Sequence, residues 1–117
     1  MARKDELGRR GEAIAAAHLA ERGFRILDRN WRSARGEIDI VALEGDRVVI
    51  VEVKTRSSLA FGHPFEAIHP AKLERLYRLG WDWCRAHGMR RPMRVDAIGI
   101  VLAGPAAPVI EHLVGVR

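Results

Sequence analysis

Three acidic residues and one lysine interrupt the most strand-like stretch of the chain, GEIDIVALEGDRVVIVEVK, at residues 36–54. The stretch reads as two apolar β-strands joined by a tight turn at Gly45-Asp46. Charged groups inside apolar strands cost free energy unless they have partners. The four interrupting residues are therefore the first candidates for chemistry: Glu37, Asp39, Glu52 and Lys54.

A turn at Gly45-Asp46 decides which residues of the two strands face each other. It pairs Asp39 with Glu52, and Glu37 with Lys54 as an ordinary cross-strand ion pair. Because side chains alternate between faces, Asp39, Glu52 and Lys54 point to one face. The two opposed carboxylates would lie about 5 Å apart and repel each other.

Two arrangements would relieve the repulsion between Asp39 and Glu52. One carboxyl could hold a proton because its neighbour raises its pKa, or a divalent cation could lie between the two. Mg²⁺ binds few protein carboxylates together with water and substrate phosphate. Lys54 would then stabilise a phosphate or help to deprotonate a water molecule. The alternative is a solvated hairpin face dotted with charges, because this spacing alone is a weak pattern.

The composition points to a polyanionic partner. The 117 residues carry a formal net charge of +5 at pH 7, and all but three of the 20 basic residues are arginines. The planar fork of arginine suits phosphate recognition, and a basic chain favours nucleic acid. A G+C-rich genome would explain the excess of arginine over lysine equally well. It would leave the positive charge unchanged.

The elements that must position these residues follow from periodicity and end signals. The chain predicts a helix over 5–22, a strand over 24–32, the two hairpin strands, a loop over 55–69, a helix over 70–87, and strands over 93–102 and 109–114. Glu12 and Lys72 fall at the edges of the apolar arcs of the two helices. The order α-β-β-β-α-β-β indicates one α/β domain, residues 1–117, with a central mixed sheet flanked by helices.

A family resemblance rests on motifs spread over nearly the whole chain. They are Gly11-Glu12 with Ala15, Asn30 with Arg32 and Gly36–Asp39, Val51–Lys54 with Arg56, Phe61-Gly62 with Pro64, Glu66 and Ala67, Lys72, and Arg94 with Asp96. Together they resemble the YraN-like family of small bacterial proteins. The GEID and VEVK segments also resemble the PD-(D/E)XK nuclease superfamily, although Ile38 stands where its first motif has a proline.

The resemblance implies a restriction-endonuclease-like fold, similar to that of archaeal Holliday-junction resolvases. It implies a metal site of Asp39, Glu52 and Glu12 that takes Mg²⁺ or Mn²⁺. Asp39, Glu52 and Lys54 are the catalytic candidates. The accessory candidates are Glu37, Arg56 and Lys72.

The segment DRNWRSARGE mixes an aromatic residue with arginines, which could stack a base and hold phosphates. The nucleic-acid-binding candidates are Arg29, Trp31, Arg32, Arg35 and Arg56. The alternative for Trp31 is a place at the edge of the core. Asp96 is expected to be a structural partner for an arginine.

The leading functional expectation is a divalent-metal-dependent nuclease acting on nucleic acid, with DNA favoured over RNA as the substrate. The alternatives are a non-catalytic nucleic-acid-binding module, and a protein-interaction module docking through Leu79 and Trp83. The alternative for Leu79 and Trp83 is a place at the boundary of the core. The inner arc of the helix is predicted to hold Leu73, Leu76, Tyr77, Trp81 and Cys84. The absence of an apolar leader and of a long apolar run predicts a cytoplasmic protein with no membrane partner. A homodimer is left open.

Overall fold

The computed structural model describes residues 5–60 and 62–117. The chain forms helix α1 (Glu6–Glu21), strands β1 (Arg25–Ser33), β2 (Gly36–Glu44) and β3 (Arg47–Arg56), a 3-10 helix (Pro64–Ala67), helix α2 (Pro70–Ala86), and strands β4 (Met93–Val101) and β5 (Val109–Leu113). The predicted order α-β-β-β-α-β-β is confirmed. Phe61, one of the residues that carry the family resemblance, lies outside the described residues.

The five strands form one mixed sheet in the order β1-β2-β3-β4-β5. The β3–β4 pair is parallel, with α2 in the connection between the two strands, and the other pairs are antiparallel. This central position explains why β3 is apolar on both faces, since Val48, Val49, Ile50 and Val51 are all fully buried.

Each face of the sheet carries one helix. Ala15 and Leu19 of α1 pack with Ile40, Val49 and Val51 on one face. On the other face, α2 packs against Val41, Val48 and Ile50 through Leu76, Leu79 and Trp83. Neither helix within the described stretches has the length and apolar character that a bilayer-spanning segment requires.

The predicted inner face of α2 is wrong in part: Leu76 and Cys84 are buried as predicted, but Trp81 is not. Trp81 is 53% exposed, whereas Leu79 and Trp83 are each 2% exposed. The buried stripe also includes Gly80, where an added Cβ would lie 2.4 Å from the Met93 sulfur. A glycine at this position lets the helix backbone approach the sheet closely. Leu79 and Trp83 belong to the chain's own core, so they do not form a docking surface.

The predicted loop 55–69 is wrong in part. Strand β3 continues to Arg56, and a 3-10 helix follows at Pro64–Ala67. The His63 ring accepts a hydrogen bond from the Phe65 amide, and the Glu66 carboxylate accepts one from the His63 amide. Local capping, together with the burial of Pro64, orders a segment whose sequence shows no clear period.

Candidate active site

The candidate site lies where β2 and β3 separate. Their pairing runs from Glu44–Arg47 at the turn to Ile40–Val51, in the register that the sequence predicts. Beyond that point β2 stays paired with β1, and β3 stays paired with β4. Asp39 and Glu52 therefore follow directly after the end of the shared ladder.

The side chain of Asp39 bridges the gap between the separating strands. Its Oδ2 accepts a hydrogen bond of 2.8 Å from the backbone N–H of Val53 on β3. A carboxylate thus satisfies a backbone donor where the ladder between the two strands has ended. This bond holds the aspartate at the mouth of the gap.

The gap opens into a cavity of about 460 Å³ lined by α1, β2, β3 and α2. Three of its lining residues are almost completely buried carboxylates: Glu12 is 1% exposed, Glu52 5% and Asp39 7%. Glu12 belongs to α1 and Glu52 to β3, so different elements bring them together. Acidic residues are rarely buried to this degree unless they are paired or bind a cation.

Two lysines contact a single oxygen of Glu52. The Nζ atom of Lys72 lies 2.6 Å from Glu52 Oε2, and that of Lys54 lies 3.4 Å from the same atom. Lys72 enters the cavity from the first turn of α2, as its place at the edge of the apolar arc predicts. Paired lysines are a solution to the carboxylate repulsion that differs from both arrangements considered from sequence.

The two lysines differ in proton affinity. Burial and the hydrogen bond with Lys72 lower the pKa of Lys54, and the attraction of Glu52 only partly opposes them. Burial also disfavours the charged form of Lys72, but its hydrogen bonds to Glu52 and Lys54 outweigh that cost and raise its pKa above the ordinary value. Lys54 is therefore the lysine that more readily gives up its proton.

The donor set suits a hard divalent cation but does not form a closed cage. Within residues 5–60 and 62–117, no three His, Cys, Asp or Glu side chains are grouped so that they could hold a metal ion. Mg²⁺ commonly binds one or two carboxylates and takes its remaining oxygen ligands from water and substrate phosphate. The buried carboxylates fit a site of that open kind.

The predicted ion pair between Glu37 and Lys54 is wrong. The Glu37 carboxylate binds Arg32 on the neighbouring strand β1, with 2.7 Å between Glu37 Oε2 and Arg32 Nε. Lys54 turns to Glu52 instead. The reason is the separation of the strands, which ends the β2–β3 register before Glu37. Glu37 still lines the cavity.

The predicted nucleic-acid-binding arginines do not act alike. Three are engaged by carboxylates: Arg29 lies 3.5 Å from Glu12, Arg32 lies 2.7 Å from Glu37, and Arg35 lies 3.5 Å from Asp82. Trp31 is half-buried and packs at the edge of the α2-side core, with its ring 6.4 Å from that of His87. Trp31 therefore lies at the edge of the core, which is the alternative prediction for this residue.

Arg56 and Arg75 are the arginines that line the cavity. The Nε of Arg56 is buried and has no hydrogen-bond acceptor among the described residues. Sequence reasoning missed Arg75, which makes no ion pair within the described parts of the chain. Its position three residues after Lys72, on the same side of α2, is the signal that could have found it.

A second buried charge cluster lies outside the cavity. Asp96 on β4 is fully buried and accepts hydrogen bonds from Arg94 (2.7 and 2.9 Å), His112 (2.8 Å) and the Gly115 amide (2.9 Å). Burial opposes its ionisation, but the bonds from His112, Arg94 and Gly115 lower its pKa overall. The prediction that Asp96 is a structural partner for an arginine is confirmed.

Comparison with known proteins places the chain in a family. Residues 11–100 match the model described as "Uncharacterised protein family UPF0102". A UPF0102 protein of Arthrobacter sp. (strain FB24) is 59% identical over 117 residues, covering 99% of each chain. One from Leifsonia xyli is 53% identical over the same length, and one from Streptomyces coelicolor is 50% identical over 113 residues, which cover 94% of this chain and 87% of that relative. The matched range contains the cavity residues Glu12, Asp39, Glu52, Lys54 and Lys72. The chain belongs to the UPF0102 family, the YraN-like family that its motifs resemble.

Proposed function

We propose that the protein is a divalent-metal-dependent nuclease that hydrolyses phosphodiester bonds in nucleic acid, with DNA favoured over RNA as the substrate. The observation that carries the proposal is the convergence of three nearly buried carboxylates and two lysines on one cavity. Burying charges costs stability even when they are paired. Such a departure from an apolar interior is expected where a site has a function.

The metal would be held by Asp39 and Glu52, with Glu12 adding negative charge from α1. Mg²⁺ or Mn²⁺ held there would supply positive charge to the phosphate and would make water a stronger nucleophile at neutral pH. Asp39 is already held by its bond to Val53, which reduces the cost of organising the site.

The other cavity residues bind the substrate and handle protons. Arg56 and Arg75 would hold phosphates on either side of the reacting one, because neither forms an ion pair with a carboxylate of the described residues. Lys54, whose pKa is lowered, would stabilise charge on the reacting phosphate or accept a proton from the attacking water. The water oxygen forms the new bond to phosphorus as the bond between phosphorus and the sugar oxygen breaks, and the departing sugar oxygen takes up a proton from solvent.

A non-catalytic nucleic-acid-binding module on the same fold is the second candidate. It is favoured by the close contact between Lys72 and Glu52, and by the absence of a group of three metal-binding side chains among the described residues. The same arginines would bind a phosphate backbone in either case. The cytoplasmic location and the homodimer remain predictions.

The test is a cleavage assay on duplex, flap, junction and single-stranded DNA and RNA, with Mg²⁺ or Mn²⁺, alongside thermal unfolding. Wild-type protein should cut at least one substrate and melt at a higher temperature when metal is added. Asp39→Asn should lose both effects, because an amide is a poor Mg²⁺ ligand, and should stay folded, because the amide oxygen can still accept from Val53. Asp46→Asn, in the exposed turn of the same hairpin, is the matched control and should behave as wild type.

Wild-type protein that cuts nothing in this panel, and whose melting temperature does not respond to divalent metal, would overturn the nuclease proposal. Retained salt-sensitive binding to DNA would then favour the binding module.

A further inference from the structure

We propose that Lys72 is a resident counter-cation of the cavity, which holds Glu52 when no divalent ion is bound and gives up that carboxylate when one binds. The inference rests on the proposed function and concerns the regulation of the same site. It makes metal binding a competition between an ion and a side chain of the chain itself.

The contacts at Glu52 carry the inference. Its Oε2 lies 2.6 Å from Lys72 Nζ and 3.4 Å from Lys54 Nζ, so two ammonium groups share one oxygen. Glu52 is 5% exposed, and water has little access to it. A divalent ion that coordinated this carboxylate would meet two positive charges at close range, and Coulomb repulsion is strong in a buried site.

Lys72 is the lysine whose charge competes most directly with an ion at Glu52, because its ammonium group lies closest to the carboxylate. Lys54 has a similarly exposed side chain, at 25%, but its ammonium group lies 3.4 Å from Glu52 Oε2, against 2.6 Å for that of Lys72. The backbone of Lys72 lies in the first turn of α2, and its ammonium group is at the end of a flexible four-carbon chain. Its side chain is 23% exposed, so rotation about the bonds of that chain can carry the ammonium group towards solvent.

The destination of Lys72 links metal binding to substrate binding. Arg75 lies one turn further along α2, lines the same cavity and makes no ion pair with any described residue. A phosphate held by Arg75 would attract the ammonium group of Lys72 away from Glu52. Nucleic acid should therefore tighten the binding of metal, and by linkage metal should tighten the binding of nucleic acid.

The test is a calorimetric titration of MgCl₂, and separately of MnCl₂, into nucleic-acid-free protein, with thermal unfolding of the same samples. Lys72→Met should bind Mg²⁺ about tenfold or more tightly than wild type, because it removes the positive charge closest to the carboxylate that would bind the ion. Without metal its melting temperature should fall, since Glu52 loses its nearest partner, and Mg²⁺ should restore it. Cleavage at saturating Mg²⁺ should decrease, so metal affinity and rate move in opposite directions.

Arg75→Met is the matched control, because it removes one positive charge from the same cavity and the same helix without touching Glu52. Its Mg²⁺ affinity should stay within about threefold of wild type. If Lys72→Met does not fold, Lys72→Gln keeps a hydrogen-bond donor for Glu52 and still removes the charge.

The outcomes separate this inference from the proposed function. Wild-type protein that binds Mg²⁺ while Lys72→Met and Lys72→Gln bind it no more tightly would overturn the counter-cation and leave the nuclease standing. Equal tightening in Arg75→Met would overturn it as well, since a general charge effect would then suffice. If no variant binds divalent metal, the nuclease proposal fails, and the counter-cation fails with it.

Discussion

At the scale of single residues, the effect of replacing Lys54 distinguishes a catalytic role of the cavity from a purely structural one. If the site is catalytic, Lys54→Ala should keep metal binding but lower the cleavage rate by about 10²-fold or more, the usual loss for one positioned transition-state partner. If the site is structural, the change removes a 3.4 Å contact with Glu52, while Lys72 remains at 2.6 Å. Because Lys72 still pairs with Glu52, the free energy of unfolding would then fall by less than the roughly 3–5 kcal/mol that losing the sole partner of a buried charge costs.

Cleavage rate and thermal unfolding, measured on the same protein, decide between these outcomes. Arg47→Ala is the matched control, because Arg47 lies on the same strand and carries the same charge but is exposed beside the turn. A Lys54→Ala protein that still cuts at the wild-type rate would remove Lys54 from the proposed mechanism.

Residue types revealed most of the cavity before its geometry was known. Glu12, Asp39, Glu52 and Lys72 stand out in sequence because each interrupts or borders an apolar face. Arg75 did not stand out, because an arginine on the outer part of a helix is ordinary. The pairing of Glu37 was mispredicted because strand alternation says nothing about where two strands separate, which depends on the packing of both helices.

At the scale of elements, the contact between α1 and β3 places Glu12. Gly11 precedes Glu12, and a Cβ at Gly11 would lie 1.9 Å from the Thr55 Oγ1 on β3. In an isolated helix, alanine is more stable than glycine at an interior position by about 1 kcal/mol. Gly11→Ala should nevertheless destabilise the protein, by about 1–3 kcal/mol, because it overpacks the interface between helix and sheet.

Chemical denaturation of Gly11→Ala, and of the double variant Gly11→Ala/Thr55→Ala, checks this packing argument. The double variant should recover part of the loss, because it removes Oγ1 and Cγ2 of Thr55 but leaves the Cβ, which lies 2.8 Å from the added atom. A single variant more stable than wild type would show that helix propensity outweighs the close approach. The position of Glu12 would then not depend on this contact.

Element order was predictable because the end signals are local. Asp5 caps α1, and its side chain accepts a hydrogen bond from the Gly8 amide. Pro70 begins α2. The rotation of α2 about its axis was not predictable in the same way. A hydrophobicity pattern gives Gly80 no weight, whereas packing against Met93 makes it part of the buried stripe that includes Trp83.

At the scale of the whole molecule, the net charge of +5 predicts salt-sensitive binding to nucleic acid. The carboxylate partners of Arg29, Arg32 and Arg35 reduce their contribution, and Glu52 does the same for Lys54 and Lys72. Arg56 and Arg75 are then the phosphate contacts that the cavity offers, and two such contacts would contribute about −2 to the slope of log affinity against log salt for duplex DNA.

Fluorescence anisotropy of a labelled duplex at increasing NaCl concentrations measures this slope. Arg75→Met should make it shallower by about one unit. Arg10→Met, an exposed arginine of α1 that is not among the cavity residues, should leave it unchanged. Affinity that does not respond to salt, or no binding at low salt, would contradict a phosphate-binding cavity.

Acid should unfold the molecule partly through Asp96, whose bonds join β4, β5 and the chain near Gly115. The pKa of Asp96 is lower in the folded chain than its ordinary value of 3.8, so its ionised form stabilises the fold above that pH. That contribution is lost progressively as the pH falls below about 4 towards the lower folded-state pKa.

Asp96→Asn should cost about 3–5 kcal/mol at pH 7, because Arg94 and His112 lose a buried anionic partner. The difference from wild type should shrink in denaturant unfolding at pH 3, whereas Asp46→Asn, in an exposed turn, should match wild type at both pH values. If the difference in unfolding free energy between Asp96→Asn and wild type is the same at pH 7 and pH 3, the packing of Asp96, rather than its charge, holds β4 and β5 together.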